Sequence, residues 1–355
     1  MEILTSIRQF EAICKEWNAL ADARGHAVLR HDWILAAAQT LHAGRELAIV
    51  CVRRAGQLVA AAPLVAPAGF GVAPLRFIGA AALYEPGGLL ARDTAAHAAL
   101  LDALVGMQRP LALERLMIDS DQLCELRALV QRRGFPIVKD TAPILSVPLD
   151  RGAAEGPARV PRRLRYDVKR AWARASQHGR VTTEVLAPGP SEVDDAFEAF
   201  LRTEASGWKG RAGSALVQRP DLRAFFAAYA RLAAANGTLR IFLLRVGALI
   251  AAAQIAVETY GRLWVLKIGY DETVARCSPG FLLTQEAIRY AAGRGLTSYE
   301  FLGSAEAWER RWQTVERPTR LVVWYPRTVR GCIGASFHVA GSTWRRVRLE
   351  LRRAS

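Results

Sequence analysis

Strand-like apolar runs alternate along this chain with segments whose apolar positions recur at helical spacing. In the second half, "PSEVDDAFEAFLRTEASGWKG" sets Phe197, Leu201, Ala205 and Trp208 at helical spacing. Ser191 is the expected N-cap, and Glu192, Asp194 and Asp195 fall in the first turn, where carboxylates suit the helix dipole. A second helix, "PDLRAFFAAYARLAAANG", ends at Gly237. Strand-like runs follow at 239–245, 249–258 and 262–269, which read as an antiparallel meander. Then come a loop, a helix over "GFLLTQEAIRYAAGRG", a strand "TSYEFLG", a short helix around 305–313 and a closing strand "RLVVWYP". Strands and helices alternate throughout, which predicts a mixed α/β chain.

The pattern repeats. "LAIVCVRRAGQLVAAAPL" (47–64) resembles "LRIFLLRVGALIAAAQI" (239–255) once one residue is gapped. Each reads as a strand, a tight turn at Gly56 or Gly247, and a second strand of small residues. Two copies of one α/β unit are expected, an N-terminal domain over 1–150 and a C-terminal one over 181–330. Between them, 151–180 changes from Gly and Pro to a basic helix running from near Pro161 to near Gly179. Residues 331–355 form a basic C-terminal tail or helix, with Trp344, Val347 and Leu351 on one helical face. The uncharged run 58–75 has the length of a membrane span, but Pro63, Pro67, Gly69, Gly71 and Pro74 break it, so strands and turns are expected there.

The length of 355 residues suits two cores, and a hydrophobic content of 51% with 23% charged residues excludes a disordered chain. The first 20 residues carry Glu2, Arg8, Glu11, Lys15 and Glu16 without an apolar run, which predicts a cytoplasmic protein with no secretory signal. Five scattered cysteines form no Cys-x-x-Cys pair, and six histidines show no ligand spacing; neither a disulfide framework nor a metal site is expected. Those thiols are expected to be reduced and mostly buried. The net charge of +15 is unevenly distributed: 159–180 holds eight basic residues against Asp167, and 341–355 five against Glu350. Such clusters suit a polyanionic or acidic partner: nucleic acid, a phosphorylated cofactor, an acidic carrier protein or an anionic membrane.

The chemistry concentrates in "WVLKIGYDETVARCSPGFLLTQEAI" (264–288), a strand, a polar turn and a helix start in one run. A loop entering a helix N-terminus presents unpaired N–H groups to an anion. There Gly280 allows close backbone approach, Pro279 suits the first helical position, Ser278 can cap or donate, and Arg276 offers a fork to a phosphate. Asp271 and Lys267 stand at the strand end, Asp271 as base or ammonium anchor and Lys267 as a holder of carboxylate or phosphate. Tyr270 alternates away from Asp271 and is the candidate to protonate a leaving thiolate. Glu300 lies on the neighbouring strand as a further candidate carboxylate. No Gly-x-Ser-x-Gly elbow or Cys-His pair is present, which favours direct attack over a covalent intermediate.

The element order resembles the GNAT acyltransferase fold. The segments "RRLRYDVKRAWARASQHGRV", "WKGRAGSA", "LKIGYDETVARCSPGFLL" and "FLGSAEAWERRW", in that order over about 160–315, resemble the CelD/BcsL-like family, relatives of the Fem aminoacyl transferases. The resemblance implies tandem GNAT-like domains, each a mixed, mostly antiparallel sheet flanked by helices. It also implies a pyrophosphate loop at Arg276, Ser278, Pro279, Gly280 and Phe281 for acyl-CoA or the acyl-phosphopantetheine arm of an acyl carrier protein. Trp208 and Lys209 would border the acceptor pocket. Two departures stand out. The superfamily's Gln/Arg-x-x-Gly-x-Gly/Ala has Pro279 at its first Gly, and Trp308-Glu309 occupies the place where the family often has Tyr-Lys before a final Trp, here Trp312. The implied activity is N-acyl transfer from a thioester to an amine of a small molecule, amino sugar or peptide. The alternatives are a Fem-like transferase using aminoacyl-tRNA and a non-catalytic binding protein.

Overall fold

The computed structural model describes residues 1–66, 73–149, 162–303 and 305–338. Its strands are β1 (Glu2–Leu4), β2 (Ile49–Arg54), β3 (Gln57–Ala62), β4 (Leu64–Val65), β5 (Leu75–Phe77), β6 (Leu90–Ala91), β7 (Leu111–Leu116), β8 (Gly134–Pro148), β9 (Val181–Leu186), β10 (Leu239–Val246), β11 (Leu249–Thr259), β12 (Arg262–Tyr270), β13 (Ser298–Phe301) and β14 (Val315–Pro326). Its helices are α1 (Ile7–Ala12), α2 (Cys14–Arg24), α3 (His31–Thr40), α4 (Ala80–Leu83), α5 (Thr94–Gly106), α6 (Ser120–Arg133), α7 (Arg162–Ser176), α8 (Val193–Ala205), α9 (Trp208–Arg211), α10 (Pro220–Ala235) and α11 (Pro279–Gly293).

The expected three-strand meander is β10-β11-β12, closed by tight turns, and β9 adds to its β10 edge from before α8; Tyr260 and Gly261 both take positive φ between β11 and β12, the backbone of a two-residue hairpin turn. The first half repeats it as β1-β2-β3-β6. After each meander a helix returns the chain to a strand that pairs with a long antiparallel neighbour. In the second half these are α11 and β13, and the neighbour is β8; in the first they are α5 and β7, and the neighbour is β14. The halves therefore exchange their last strands. β8, from the first half, completes the second half's sheet, while β14 lies between β7 and β8, giving the order β4-β5-β7-β14-β8-β13-β12-β11-β10-β9. The uncharged run 58–75 contributes β3, β4 and the first residue of β5, with 67–72 outside the described residues.

The largest core also spans both halves. Trp33 of α3 meets Phe225 and Tyr229 of α10 edge-on at 4.9 and 4.8 Å. Burying such rings contributes roughly 1.5–3 kcal/mol each. Local signals fix the helix starts: Pro220 and Pro279 open α10 and α11, and Asp93 and Asp119 cap α5 and α6. At α8 the N-cap is Glu192 rather than Ser191, and the Glu192 carboxylate reaches back to the Gly189 N–H at 3.1 Å. All five thiols are free, but only Cys51 and Cys277 are buried; Cys14 is half-buried and Cys124 and Cys332 are exposed.

Candidate active site

β12 and β13 run parallel and pair only from Arg262↔Ser298 to Val265↔Phe301. β13 stops there, while β12 continues to Tyr270 after a bulge that places Lys267 opposite Ile255 and Val265 opposite Ala256. The two strands part beyond Val265, and one edge of β12 is left without a strand partner among the described residues. An open edge needs acceptors and donors from elsewhere. Lys209 of α9 supplies one, donating from Nζ to the Ile268 carbonyl at 2.8 Å and to Glu204 Oε1 at 3.2 Å. Glu204 is held in turn by the Leu216 N–H at 2.9 Å. Close approach of α8 depends on Gly269, where an added Cβ would stand 2.6 Å from Glu204 Cα. Gly269→Ala is therefore expected to cost about 1–3 kcal/mol by overpacking. It should also loosen the Lys209 clamp, read as a lowered melting temperature together with weaker substrate binding.

At the mouth of this gap lies the start of α11. Ser278 takes a left-handed conformation (φ 54°), Pro279 is the first helical residue, and Gly280 packs where a Cβ would be 3.4 Å from Tyr270 Cδ1. The basic helix α7 crosses here. Arg170, Arg174 and Arg311 converge with Ser278, Phe281 and Asp167 on an open cleft of about 210 Å³. Arg311 is oriented by Asp167 at 2.8 Å and by the Phe281 ring, 4.9 Å below its guanidinium. Phe281 packs at a tilt against Trp312, ring centres 4.9 Å apart. Arg174 Nε is buried without a hydrogen-bond partner. Three guanidinium groups against one carboxylate, at the positive end of a helix, give the cleft a net positive charge.

A second group of charges lies around the end of β13, contributed by both halves. Glu85 is buried and accepts a hydrogen bond from the Gly303 N–H at 2.7 Å. Burial pushes its carboxyl up, and Lys267 opposes the shift. Lys267 is half-buried with its ammonium 5.1 Å from the centre of the Phe226 ring. Burial lowers its pKa, Glu85 works against that, and among the described residues it has no hydrogen-bond acceptor. Arg115 of β7 lies over the Tyr84 ring at 5.0 Å and donates to the Tyr84 and Ala142 carbonyls. Glu309, in the 3-10 turn Glu309–Trp312, is 5% exposed and accepts from the Glu306 N–H at 2.9 Å. Burial first, then repulsion from Glu306 and Glu85, pushes its carboxyl up to about 7. A carboxyl poised there suits proton transfer near neutral pH.

A family model described as a GNAT acetyltransferase domain matches residues 162–310, the stretch that holds α7, the meander, the gap and Glu309. Residues 162–310 form a GNAT-type domain. Among solved structures, FemX aligns over 91% of this chain and 97% of its own at TM-score 0.60 and 13% identity. L-PGS from Bacillus licheniformis aligns over 96% and 97% at 0.55 and 10%. A conserved protein of unknown function from Bacteroides thetaiotaomicron aligns over 90% and 97% at 0.55 and 11%. These likenesses establish the fold over nearly the whole chain. No curated protein matches the sequence.

Within the GNAT domain the sequence-predicted residues separate into groups. Ser278, Pro279, Gly280 and Phe281 meet at the start of α11, with Tyr270 beside them; the Ser278 side chain makes no cap bond. Arg276 is exposed on the preceding 3-10 turn and does not line the cleft, where Arg170, Arg174 and Arg311 stand. Lys267 lies in the gap. Asp271 caps the turn Glu272–Cys277, its Oδ1 accepting from the Thr273 N–H and hydroxyl. Glu300 is not a strand-surface carboxylate: it is fully buried, bonded by Ser298 Oγ at 2.6 Å and clasped by Arg317, with Arg262 at 3.8 Å. Arg317→Met should therefore cost about 3 kcal/mol in a denaturant melt by stranding that charge. Lys209 clamps the β12 edge. Trp208 opens α9, its side chain lying outside the described residues.

Proposed function

We propose that the protein moves an acyl group from a phosphopantetheine thioester, carried by coenzyme A or an acyl carrier protein, to an amine. The observation that carries this reading is that the start of α11, which lines the arginine cleft, packs through Gly280 against Tyr270 at the end of β12, beyond the point where β12 and β13 part. Arg170, Arg174, Arg311 and the first turn of α11 would hold the donor phosphate, and the open edge of β12 would take an extended arm as an added strand. The Lys267 ammonium would anchor an acceptor carboxylate or phosphate.

Glu309 would accept the proton of the amine as its nitrogen attacks the thioester carbonyl carbon. The C–S bond then breaks, and Tyr270, next to Gly280 at the end of β12, would give its proton to the departing thiolate. No nucleophilic serine or cysteine is required.

The test is mass spectrometry of small-molecule products after incubation with acyl-CoA, acyl carrier protein or aminoacyl-tRNA and a panel of amines. Acyl-amine formed from a thioester supports the proposal. Transfer from aminoacyl-tRNA alone would replace it with the Fem-like reading, and the absence of any transfer would favour a binding role.

A further inference from the structure

The segment 329–338 is helical, and its packing is inverted. The face against the body is built of Gly331, Gly334 and Ala335, while Val329, Ile333 and Phe337 point outward, 79%, 44% and 73% exposed. At Gly331 the inward face has no room for a larger residue. A Cβ on Gly331 would lie 2.0 Å from the Pro326 carbonyl oxygen, and His338 is hydrogen-bonded to the Tyr325 hydroxyl at 3.2 Å. The helix thus commits its smallest residues to its own domain and presents an apolar stripe with i, i+4, i+8 spacing. Arg330 is exposed beside the stripe, and Arg345, Arg346, Arg348, Arg352 and Arg353 follow it in sequence, along with Trp344, Val347 and Leu351. The calls made for 339–355 from sequence lie outside the described residues.

We propose that this face seats the protein on an anionic lipid bilayer as a peripheral, in-plane anchor. An apolar stripe flanked by arginine matches a surface with acyl chains beneath phosphate headgroups. A second copy would bring two arginine-rich segments together, which their like charge opposes. A nucleic-acid backbone offers nothing to Val329, Ile333 and Phe337. No described helix is long and apolar enough to cross a membrane, so the contact lies in the interface.

The experiment is co-sedimentation of the full chain with phosphatidylcholine vesicles, with and without phosphatidylglycerol. The protein should pellet with the anionic vesicles and be released by salt. Combined Ile333→Glu and Phe337→Glu substitutions should weaken binding by about tenfold or more while the melting temperature is kept, since both side chains are exposed. Combined Arg345→Gln, Arg346→Gln and Arg348→Gln should remove the preference for anionic vesicles. The proposal is overturned if the unsubstituted chain stays in the supernatant with both vesicles, or if the Glu substitutions leave sedimentation unchanged. It is equally overturned if light scattering shows a dimer that Phe337→Glu dissolves.

Discussion

Glu309→Gln is expected to lower turnover by about 10²–10⁴-fold, the usual contribution of a positioned general base, and to make the protein more stable at alkaline pH. The two effects share one cause. Glu309 is buried where its carboxylate form is disfavoured, and its carboxyl is pushed up to about 7 from an ordinary 4.5. The native state therefore holds its proton over a range in which the unfolded chain has released it. Stability falls as pH rises from about 4.5 to about 7, and above that the cost is complete, about 3 kcal/mol. Glutamine keeps the Oε acceptor for the Glu306 N–H and removes the charge, so the loss disappears. Denaturant melts across this pH range should show a falling stability for the unsubstituted chain and a flatter profile for the variant. Activity of the unsubstituted enzyme should rise through about pH 7 as the carboxylate forms. A variant that kept its turnover would remove Glu309 from the chemistry.

Combined Arg170→Gln and Arg174→Gln should raise the donor KM by roughly 10²–10⁴-fold while changing kcat little. A hydrogen bond to a charged group is worth about 1.5–3 kcal/mol, and each 1.4 kcal/mol is tenfold. The phosphate is remote from the bond being broken, so binding suffers rather than the chemical step. Both arginines lie on α7 facing the start of α11, and Arg174 keeps a buried, unpartnered Nε there. Arg276→Gln is the informative contrast. Arg276 is exposed outside the cleft, and its loss should leave the donor KM within about threefold, the scale of a weak exposed charge. Steady-state kinetics with donor varied at saturating amine separates the two cases.

The contrast between those arginines shows how far sequence reading reaches in this chain. Local patterns were legible because local physics sets them: the apolar runs at 239–245, 249–258 and 262–269, parted by short turns, marked the meander, and Pro279 after Ser278 marked the start of α11. The basic helix was visible too, as a charge cluster. Its target was not, because α7 meets α11 across more than a hundred residues of chain, and spacing carries no information about that contact. The same limit hid the exchange of β8 and β14, since an apolar run marks a strand without naming its partner. Glu85 and Arg115 belong to the first half and reach the second half's gap only through the fold. Glu309 had a signal, an anion where the resemblance implied a cation, although its burial became evident only in three dimensions. For Asp271 a signal was available: a carboxylate followed two residues later by threonine at a turn commonly caps its own backbone.

The central claim is that one continuous site holds the donor phosphate between α7 and α11 and the thioester between β12 and β13. A crystal structure with a non-hydrolysable acyl-CoA thioether tests it most directly. The account predicts phosphate oxygens within hydrogen-bonding distance of Arg170, Arg174 or Arg311 and of the first-turn backbone N–H groups of Gly280 and Phe281. It also predicts a pantetheine arm along the open edge of β12, ending near Tyr270 and Glu309. Ligand bound elsewhere, or a gap that stays empty at saturating concentration, would contradict it.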